Sequence, residues 1–175
     1  MSAITIRRAR ITDLPLLQKF EREFDRDQRK IVLSKAPKQR PYLRRPAGRG
    51  PSFTKWMRKW LRSYKAIVLI AESSGGPVGF SASWIVVSPS FFVPRKSGYV
   101  GYLFVRSRYR GRRASSLMME ETLYWFAKRK VKHVSLNVFA DNEPARGIYE
   151  KWGFVDTTVF AWKQLRKAGP SLRSG

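Results

Sequence analysis

The chain has 175 residues, 43% of them apolar and 14% aromatic, which suits one packed domain and argues against wholesale disorder. It contains no cysteine and one histidine, His133, so disulfides, thiolate catalysis and cysteine or two-histidine metal sites are excluded, and we expect no bound metal. Thirty-six basic residues against twelve acidic ones give a formal net charge of +24, more than a solvated basic surface explains.

The first half of the chain is predicted to form a strand, two helices and a hairpin. Alternating apolar residues predict a strand over 3–10, and Thr12 suits the N-cap of the helix that follows. Ser52 is predicted to cap a second helix, in which Trp56 and Trp60 lie one turn apart, so we favour core packing over base stacking for both. Two apolar runs joined by a Ser-Ser-Gly-Gly-Pro turn then predict a hairpin.

The second half alternates strands with helices. The pattern predicts a buried strand over 99–105, a helix from Ala114, a strand over 131–139, a short helix that begins near Pro144, and a last strand over 154–165. The whole order is β-α-α-β-β-β-α-β-α-β. Helices that alternate with strands of both pairing types indicate an α/β protein with a mixed sheet.

The basic residues cluster in segments that contain no acid. Residues 34–51 are rich in Pro, Gly and Arg and are predicted to form a loop inserted in a domain over 1–165, while 166–175 form a basic C-terminal tail. Basic extensions interleaved with aromatic residues favour contacts with the phosphates and bases of a nucleic acid. The nucleic-acid-binding candidates are Lys35, Lys38, Arg40, Arg44, Arg45, Arg49, Lys55, Arg58, Lys59, Arg166, Lys167 and Arg173.

Three kinds of partner would neutralise this charge: RNA, DNA or an anionic membrane face. RNA or DNA offers the densest array of phosphates. A membrane face ranks last as a partner, because the sequence shows no basic amphipathic helix of convincing length. It also contains no apolar run of about 20 residues, the length that crosses a bilayer. The first ten residues lack the apolar region of a signal peptide, so we expect a cytoplasmic protein. Scarce asparagine and abundant Lys and Arg also suit a thermophilic protein, although a mesophilic basic protein would have the same composition.

Four segments resemble, in this order, the GNAT superfamily, the acetyl-CoA-dependent N-acyltransferase fold. They are ITIRRARITDLPLL, IVLIAESSGGPVGFSASW, LFVRSRYRGRRASSLMME and NEPARGIYEKWGF. The resemblance covers residues 1–165. It implies a single α/β domain whose GNAT-type mixed central sheet is flanked by helices, with acetyl-CoA as the cofactor if the protein is active.

The third segment is similar to the loop with which the family binds the cofactor pyrophosphate, through backbone N–H groups and a helix N-terminus. In this chain Arg113 stands at the first motif glycine and Ser115 at the second small residue. In one alternative, the Arg113 side chain reaches the diphosphate. In the other, which we favour, it fills the diphosphate pocket or points to another polyanion. The resemblance implies cofactor contacts from Phe104, Val105, Arg110, Gly111, Arg112, Arg113, Ala114, Ser115, Ser116 and Asn142.

The resemblance also implies two catalytic roles. Tyr149 matches the tyrosine that donates a proton to the departing thiolate as general acid, with plain packing on the last helix as the alternative. Asn142 suits a helix N-cap equally well. The general base commonly lies on the fourth strand, where this chain has Gly101, and neither Glu72 nor Asp141 lies in the expected place. Without a base, the rate is expected to fall by about 10²–10⁴.

Two functions remain open. In the first, a GNAT-fold protein has been adapted to bind RNA, with ribosomal RNA and ribosomal proteins as partners, and its acetyltransferase activity is impaired or lost. In the second, an active acetyl-CoA-dependent N-acetyltransferase acts on an amine of a protein or of a substrate associated with nucleic acid. The net charge and the departures at Arg113 and Gly101 favour the first.

Overall fold

A computed structural model describes residues 3–35, 49–91, 93–161 and 163, which form a five-stranded sheet and four α-helices. The strands are β1 (Thr5–Arg8), β2 (Ala66–Ser73), β3 (Gly76–Val87), β4 (Lys96–Val105) and β5 (Val134–Leu136). The helices are α1 (Leu14–Lys35), α2 (Arg49–Leu61), α3 (Ala114–Lys128) and α4 (Glu143–Lys151). The strands lie in chain order, and β4 and β5 pair in parallel while the other pairs are antiparallel. The predicted α/β class, mixed sheet and hairpin are confirmed.

Each face of the sheet carries its own apolar core. Helices α1 and α2 cover one face, where Phe20 and Met57 are fully buried against Phe80 and its neighbours. Helix α3 covers the other face through Met118, Trp125 and Phe126. None of the helices in the described ranges is long and apolar enough to cross a membrane.

Helix α1 begins after a 3₁₀ turn, Ile11–Asp13, that is fixed by a carboxylate. Asp13 accepts hydrogen bonds from the Arg10 backbone N–H at 2.7 Å and from the Arg7 guanidinium at 2.8 and 2.9 Å. The hydrogen-bonded Arg7 holds the pKa of Asp13 below its usual value. Asp13 therefore fixes the start of the helix, and the prediction of Thr12 as N-cap was wrong.

The helices on both sides of the predicted loop over 34–51 extend into it. Helix α1 continues to Lys35 because its apolar stripe continues as far as Val32, which is fully buried. Helix α2 begins at Arg49, and Ser52 lies inside its first turn, where Pro51 is also tolerated. Residues 36–48 lie outside the described residues, and with them Lys38, Arg40, Arg44 and Arg45.

The sixth strand predicted over 154–165 is absent from its described part, 154–161. Val155, Val159 and Phe160 are 79%, 92% and 79% exposed. Apolar and β-branched residues favour a strand only where a neighbouring strand lets them pack, and β5 has three residues, all paired with β4. Most of the rest of the predicted strand and tail, including Arg166, Lys167 and Arg173, lies outside the described residues.

Candidate functional site

Strands β4 and β5 pair over three residues and then part. Their register runs from Gly98–Val134 to Val100–Leu136. Beyond it β4 continues to Val105, whereas the chain after Leu136 leaves the sheet. This edge of β4 has no described strand against it, so its backbone hydrogen-bonding groups face a gap between the carboxyl ends of the two strands.

A β-bulge marks the place where the strands part. Tyr102 pairs with Ala82 on β3, and Val100 pairs with Ser83, so Gly101 is the extra residue. A Cβ atom on Gly101 would lie 2.1 Å from the indole ring of Trp84. The space in which a side chain at this position would begin is therefore filled by the tryptophan.

Trp84 belongs to a cluster of aromatic rings under helix α2. Its ring stacks on Trp60 with centroids 5.2 Å apart and an angle of 19°, and it meets Trp56 edge-on at 5.2 Å and Tyr99 at 5.1 Å. The predicted packing of Trp56 and Trp60 inside the protein is confirmed. Because the rings pack against each other, Trp84 is held over Gly101.

The loop after β4 is tied to helix α1 by two arginines. The Arg106 guanidinium contacts both Glu23 oxygens, at 2.7 and 2.9 Å, donates to the Pro77 carbonyl at 2.9 Å, and lies 4.8 Å from the centre of the Phe20 ring. Arg110 donates to the Val105 carbonyl at 3.0 Å and to Asp27 at 2.5 Å. The bidentate Arg106 holds the pKa of Glu23 below its usual value, so this carboxylate stays charged at neutral pH.

Glu23 and Asp27 are positioning residues that the sequence analysis missed. They lie four residues apart and so on one face of α1, and this spacing of two carboxylates on an otherwise basic chain is the signal that could have found them. Their ion pairs also place the Arg110 side chain. That guanidinium braces the loop, so Arg110 can contribute to a bound diphosphate chiefly through the loop conformation that it fixes.

Helix α3 presents its N-terminal amides beside this loop. The first helical hydrogen bond runs from the Leu117 N–H to the Arg113 carbonyl at 2.9 Å, so the amides of Ala114, Ser115 and Ser116 precede it and point out of the helix end. Gly111 has φ +75°. Phosphate groups bind to helix ends of this kind.

Arg113 adopts the left-handed conformation that a glycine would favour, with φ +61° and ψ +1°. Its side chain is 75% exposed, and its guanidinium lies 3.6 Å from Glu120, two turns along α3. The guanidinium therefore points along the helix rather than into the loop, and the backbone bend that the motif glycine supplies is preserved. Two other cations flank the loop, because Arg108 and Arg112 lie 5.0 and 5.5 Å from the Tyr109 ring centre.

Asn142 caps helix α4 and joins it to α1. Its side-chain oxygen accepts from the Ala145 N–H at 3.4 Å, and its amide nitrogen donates to Gln28 at 3.2 Å. The side chain is 2% exposed. These contacts support its N-cap role, while a role of Asn142 in cofactor binding stays a prediction.

Tyr149 packs against the core cluster that contains Val100, the last residue of β4 that pairs with β5. Its ring meets Trp152 and Phe154 with centroids 5.9 and 6.0 Å apart. Burial raises the pKa of Tyr149, so the phenol remains protonated at neutral pH, as a general acid must. The geometry is compatible with both the packing role and the predicted proton-donor role.

The remaining candidates divide between described and undescribed residues. Phe104 and Val105 are buried at the end of β4, on opposite faces of the sheet. On α2, Lys55, Arg58 and Lys59 are exposed, opposite the buried Phe53 and Met57. Lys35 and Arg49 end and begin their helices, and nothing is described of their side chains.

The gap between β4 and β5, the braced loop and the free end of α3 together form the candidate site. The family model of the acetyltransferase (GNAT) family matches residues 25–154, and the chain belongs to this family. None of the curated proteins with which the sequence was compared matches it.

Solved structures with the same fold have low sequence identity to this chain. A predicted acetyltransferase with acetyl-CoA from Clostridium acetobutylicum is 18% identical, with a TM-score of 0.72 over 94% of this chain and 96% of that one. A GCN5-related N-acetyltransferase from Ralstonia eutropha JMP134 is 21% identical, with a TM-score of 0.71 over 93% and 99%. The aminoglycoside N-acetyltransferase AAC(6')-Iy in complex with CoA is 14% identical, with a TM-score of 0.70 over 95% and 97%.

The Arg106–Glu23 pair should make stability depend on pH. Its contribution is present above the unfolded pKa of Glu23, about 4.3, and is lost as pH falls through the lower folded pKa. We expect Glu23→Gln to lower the free energy of unfolding at pH 7 by about 1–2 kcal/mol. We also expect a smaller loss of stability between about pH 5 and pH 3 than in the unaltered protein, measured by denaturant unfolding.

Glu120→Gln is the matched control, because it removes the exposed partner of Arg113. It should change stability by less than about 0.5 kcal/mol. An unaltered pH dependence in Glu23→Gln would contradict the assignment of this carboxylate as the brace.

Proposed function

We propose that this protein binds RNA as a partner of ribosomal RNA and ribosomal proteins, and that it retains a GNAT cofactor site but transfers the acetyl group poorly. The observation that carries the RNA proposal is the net charge of +24 together with the use that the structure makes of its acids. Seven of the twelve acids pair with arginines inside the described protein: Asp13, Glu23, Asp25, Asp27, Glu72, Glu120 and Asp156. These pairs leave the net charge unchanged, so the excess of 24 cations is left without a counter-charge in the chain, and a polyanion would neutralise it.

Helix α2 supports the same proposal. Lys55, Arg58 and Lys59 recur at positions i, i+3 and i+4 and form one exposed basic stripe along a helix whose other face is buried. Arg62 extends the stripe in the turn that follows the helix. Many solvated helices carry a basic stripe of this kind without binding a polyanion. The stripe on α2 gains weight because no acid lies between residues 28 and 71 to neutralise it.

The proposal of impaired transfer rests on Gly101 and Trp84. An amine with a pKa near 10 must lose a proton before it attacks acetyl-CoA, and the position from which a base commonly acts holds no side chain. The indole of Trp84 occupies the space that such a side chain would enter. Transfer to an ordinary amine should therefore be about 10²–10⁴ slower than with a base in place.

Active N-acetyltransfer is the second candidate function, and two observations favour it. Arg113 keeps the loop conformation with its guanidinium turned toward Glu120, and burial raises the pKa of Tyr149, so that its phenol is protonated. If this candidate is right, the acetyl group would pass from the CoA sulfur to an amine nitrogen, which would release a proton to water. Tyr149 would protonate the departing thiolate and regain a proton from solvent. Tyr149→Phe would then lower kcat while leaving the binding of acetyl-CoA unchanged.

Acetyl-CoA should raise the melting temperature of the purified protein, since binding to the folded state alone stabilises it by about 2.7 kcal/mol at a concentration of 100 Kd. We expect Ser115→Asp to abolish this shift, because a carboxylate at the N-terminus of α3 repels a diphosphate while suiting the helix dipole. Ser52→Asp places the same change in the first turn of α2 and should keep the shift. No shift at millimolar acetyl-CoA in the unaltered protein would contradict a retained cofactor site.

RNA affinity should fall steeply with salt. On single strands the logarithm of the binding constant falls with log[salt] with a slope of about −0.7 for each phosphate neutralised. Fluorescence anisotropy with a labelled oligonucleotide between low and physiological salt measures the slope, and co-purification with ribosomal subunits tests the ribosomal partner. A slope near zero would contradict the RNA proposal, and association with no ribosomal component would limit it to other RNA.

A further inference from the structure

One end of the sheet gathers basic residues from three segments that are distant in sequence. We call it the basic end and define it by Arg62, Lys65, Lys96, Lys128, Lys130 and Lys132, all of which are exposed. They come from the turn before β2, the start of β4 and the C-terminus of α3. None of them was among the candidates drawn from the sequence.

Direct contacts join the three segments into one surface. Arg129 donates to the Tyr64 carbonyl at 3.4 Å, which ties the end of α3 to the turn before β2. Lys96 donates to the Arg129 carbonyl at 2.5 Å, which ties the start of β4 to the same point. The Gly98 N–H donates to the His133 carbonyl at 2.8 Å, so the segment after α3 continues alongside β4.

The three segments contain no acid. Residues 62–65, 88–98 and 124–134 include neither Asp nor Glu. Cations do stabilise the C-terminal end of a helix dipole, and Lys96 and Lys128 suffice for that at α3. The dipole does not account for the cations from the other segments, whose mutual repulsion disfavours the fold unless an anion lies against them.

Lys130 has a backbone conformation that lowers the stability of the fold. Helix α3 ends in a Schellman motif, in which Val131 N–H bonds to the Phe126 carbonyl at 3.1 Å and Lys130 N–H to the Ala127 carbonyl at 2.9 Å. Lys130 occupies the left-handed position of this motif with φ +57°, where glycine is the usual residue and a side chain costs about 1 kcal/mol. Glycine would suit this backbone better, so the lysine brings no conformational advantage, and its side chain adds one more exposed cation to the basic end.

Exposed tyrosines accompany the cations. Tyr64 is 76% and Tyr124 is 55% exposed. Each lies beside a lysine of the basic end, with Lys65 Nζ 5.7 Å from the Tyr64 ring centre and Lys128 Nζ 4.7 Å from that of Tyr124. A cation next to an exposed ring offers a phosphate contact and a stacking surface for a base, which is the combination that single-stranded nucleic acids use.

We propose that the basic end is the surface on which this protein binds single-stranded RNA, with the lysines on phosphates and Tyr64 and Tyr124 stacked on bases. The proposal rests on the RNA-binding function proposed above and names its site. The ends of β4 lie about 30 Å apart at about 3.3 Å per residue, so the basic end is remote from the pyrophosphate loop after Val105. RNA and acetyl-CoA therefore bind together rather than in competition.

The test compares two triple variants that remove equal charge. The first variant alters the basic end and combines Lys65→Gln, Lys128→Gln and Lys132→Gln. The second removes three exposed lysines from α1 and α4 and combines Lys19→Gln, Lys30→Gln and Lys151→Gln. With a labelled oligouridine of about 12 nucleotides, the first variant should bind at least about tenfold more weakly, with a salt slope smaller by about 2. The second should stay within about threefold of the unaltered protein.

Two further variants separate binding from folding. Lys130→Gly should raise the melting temperature, because it relieves the left-handed lysine, and should still weaken RNA binding. Tyr64→Leu with Tyr124→Leu should weaken binding to RNA several-fold while leaving the salt slope unchanged, since stacking carries no charge. The proposal would be overturned in favour of a general anionic partner by two results together. The tyrosine variant would bind RNA as tightly as the unaltered protein does, and the unaltered protein would bind phosphatidylserine vesicles as tightly as it binds RNA.

The outcomes distinguish this site from the function on which it rests. If the unaltered protein binds RNA and the two lysine variants weaken binding equally, the basic end is overturned and the RNA proposal stands with another surface. If the unaltered protein does not bind RNA at low salt, both proposals fall. A selective loss in the basic-end variant supports both.

Discussion

The ion pairs that join helix α1 to the loop after β4 fix the geometry on which the proposed cofactor site depends. Glu23 holds Arg106 with two hydrogen bonds, and Asp27 holds Arg110, whose guanidinium also bonds to the end of β4. The loop therefore leaves the strand in one direction and leads into the N-terminus of α3. Because charge-assisted bidentate bonds are strong and directional, two carboxylates can position a whole loop.

The same pairs explain how a chain of net charge +24 divides its surface. Carboxylates lie along α1 and beside the loop, where they neutralise Arg106 and Arg110. At the other end of β4, the three segments of the basic end contain no acid. The two positive-φ residues other than glycine in the described chain, Arg113 and Lys130, are both basic and bound α3 at its two ends. Cations therefore occupy both of these positions, where the backbone favours glycine.

Sequence patterns predicted the fold because apolar periodicity and order of elements are local properties. They also singled out Gly101 and Arg113, but not what surrounds these residues, since the Trp84 ring and the Glu120 contact come from other parts of the chain. The prediction of a sixth strand was wrong for the described residues 154–161, because no described strand lies beside them to pair with. The basic end could not be predicted from runs of charge, because tertiary contacts assemble it from three short segments.

The central claim is that acetyl-CoA and RNA bind at opposite ends of β4. Hydrogen exchange of backbone amides tests it most directly, with acetyl-CoA and a single-stranded RNA added separately and together. Acetyl-CoA should slow exchange in the loop and first turn of α3, residues 110–116, and RNA should slow it at 62–65 and 128–133. With both ligands the two footprints should add. RNA protection of residues 110–116 that acetyl-CoA displaces would contradict the account, because it would place the polyanion in the cofactor site.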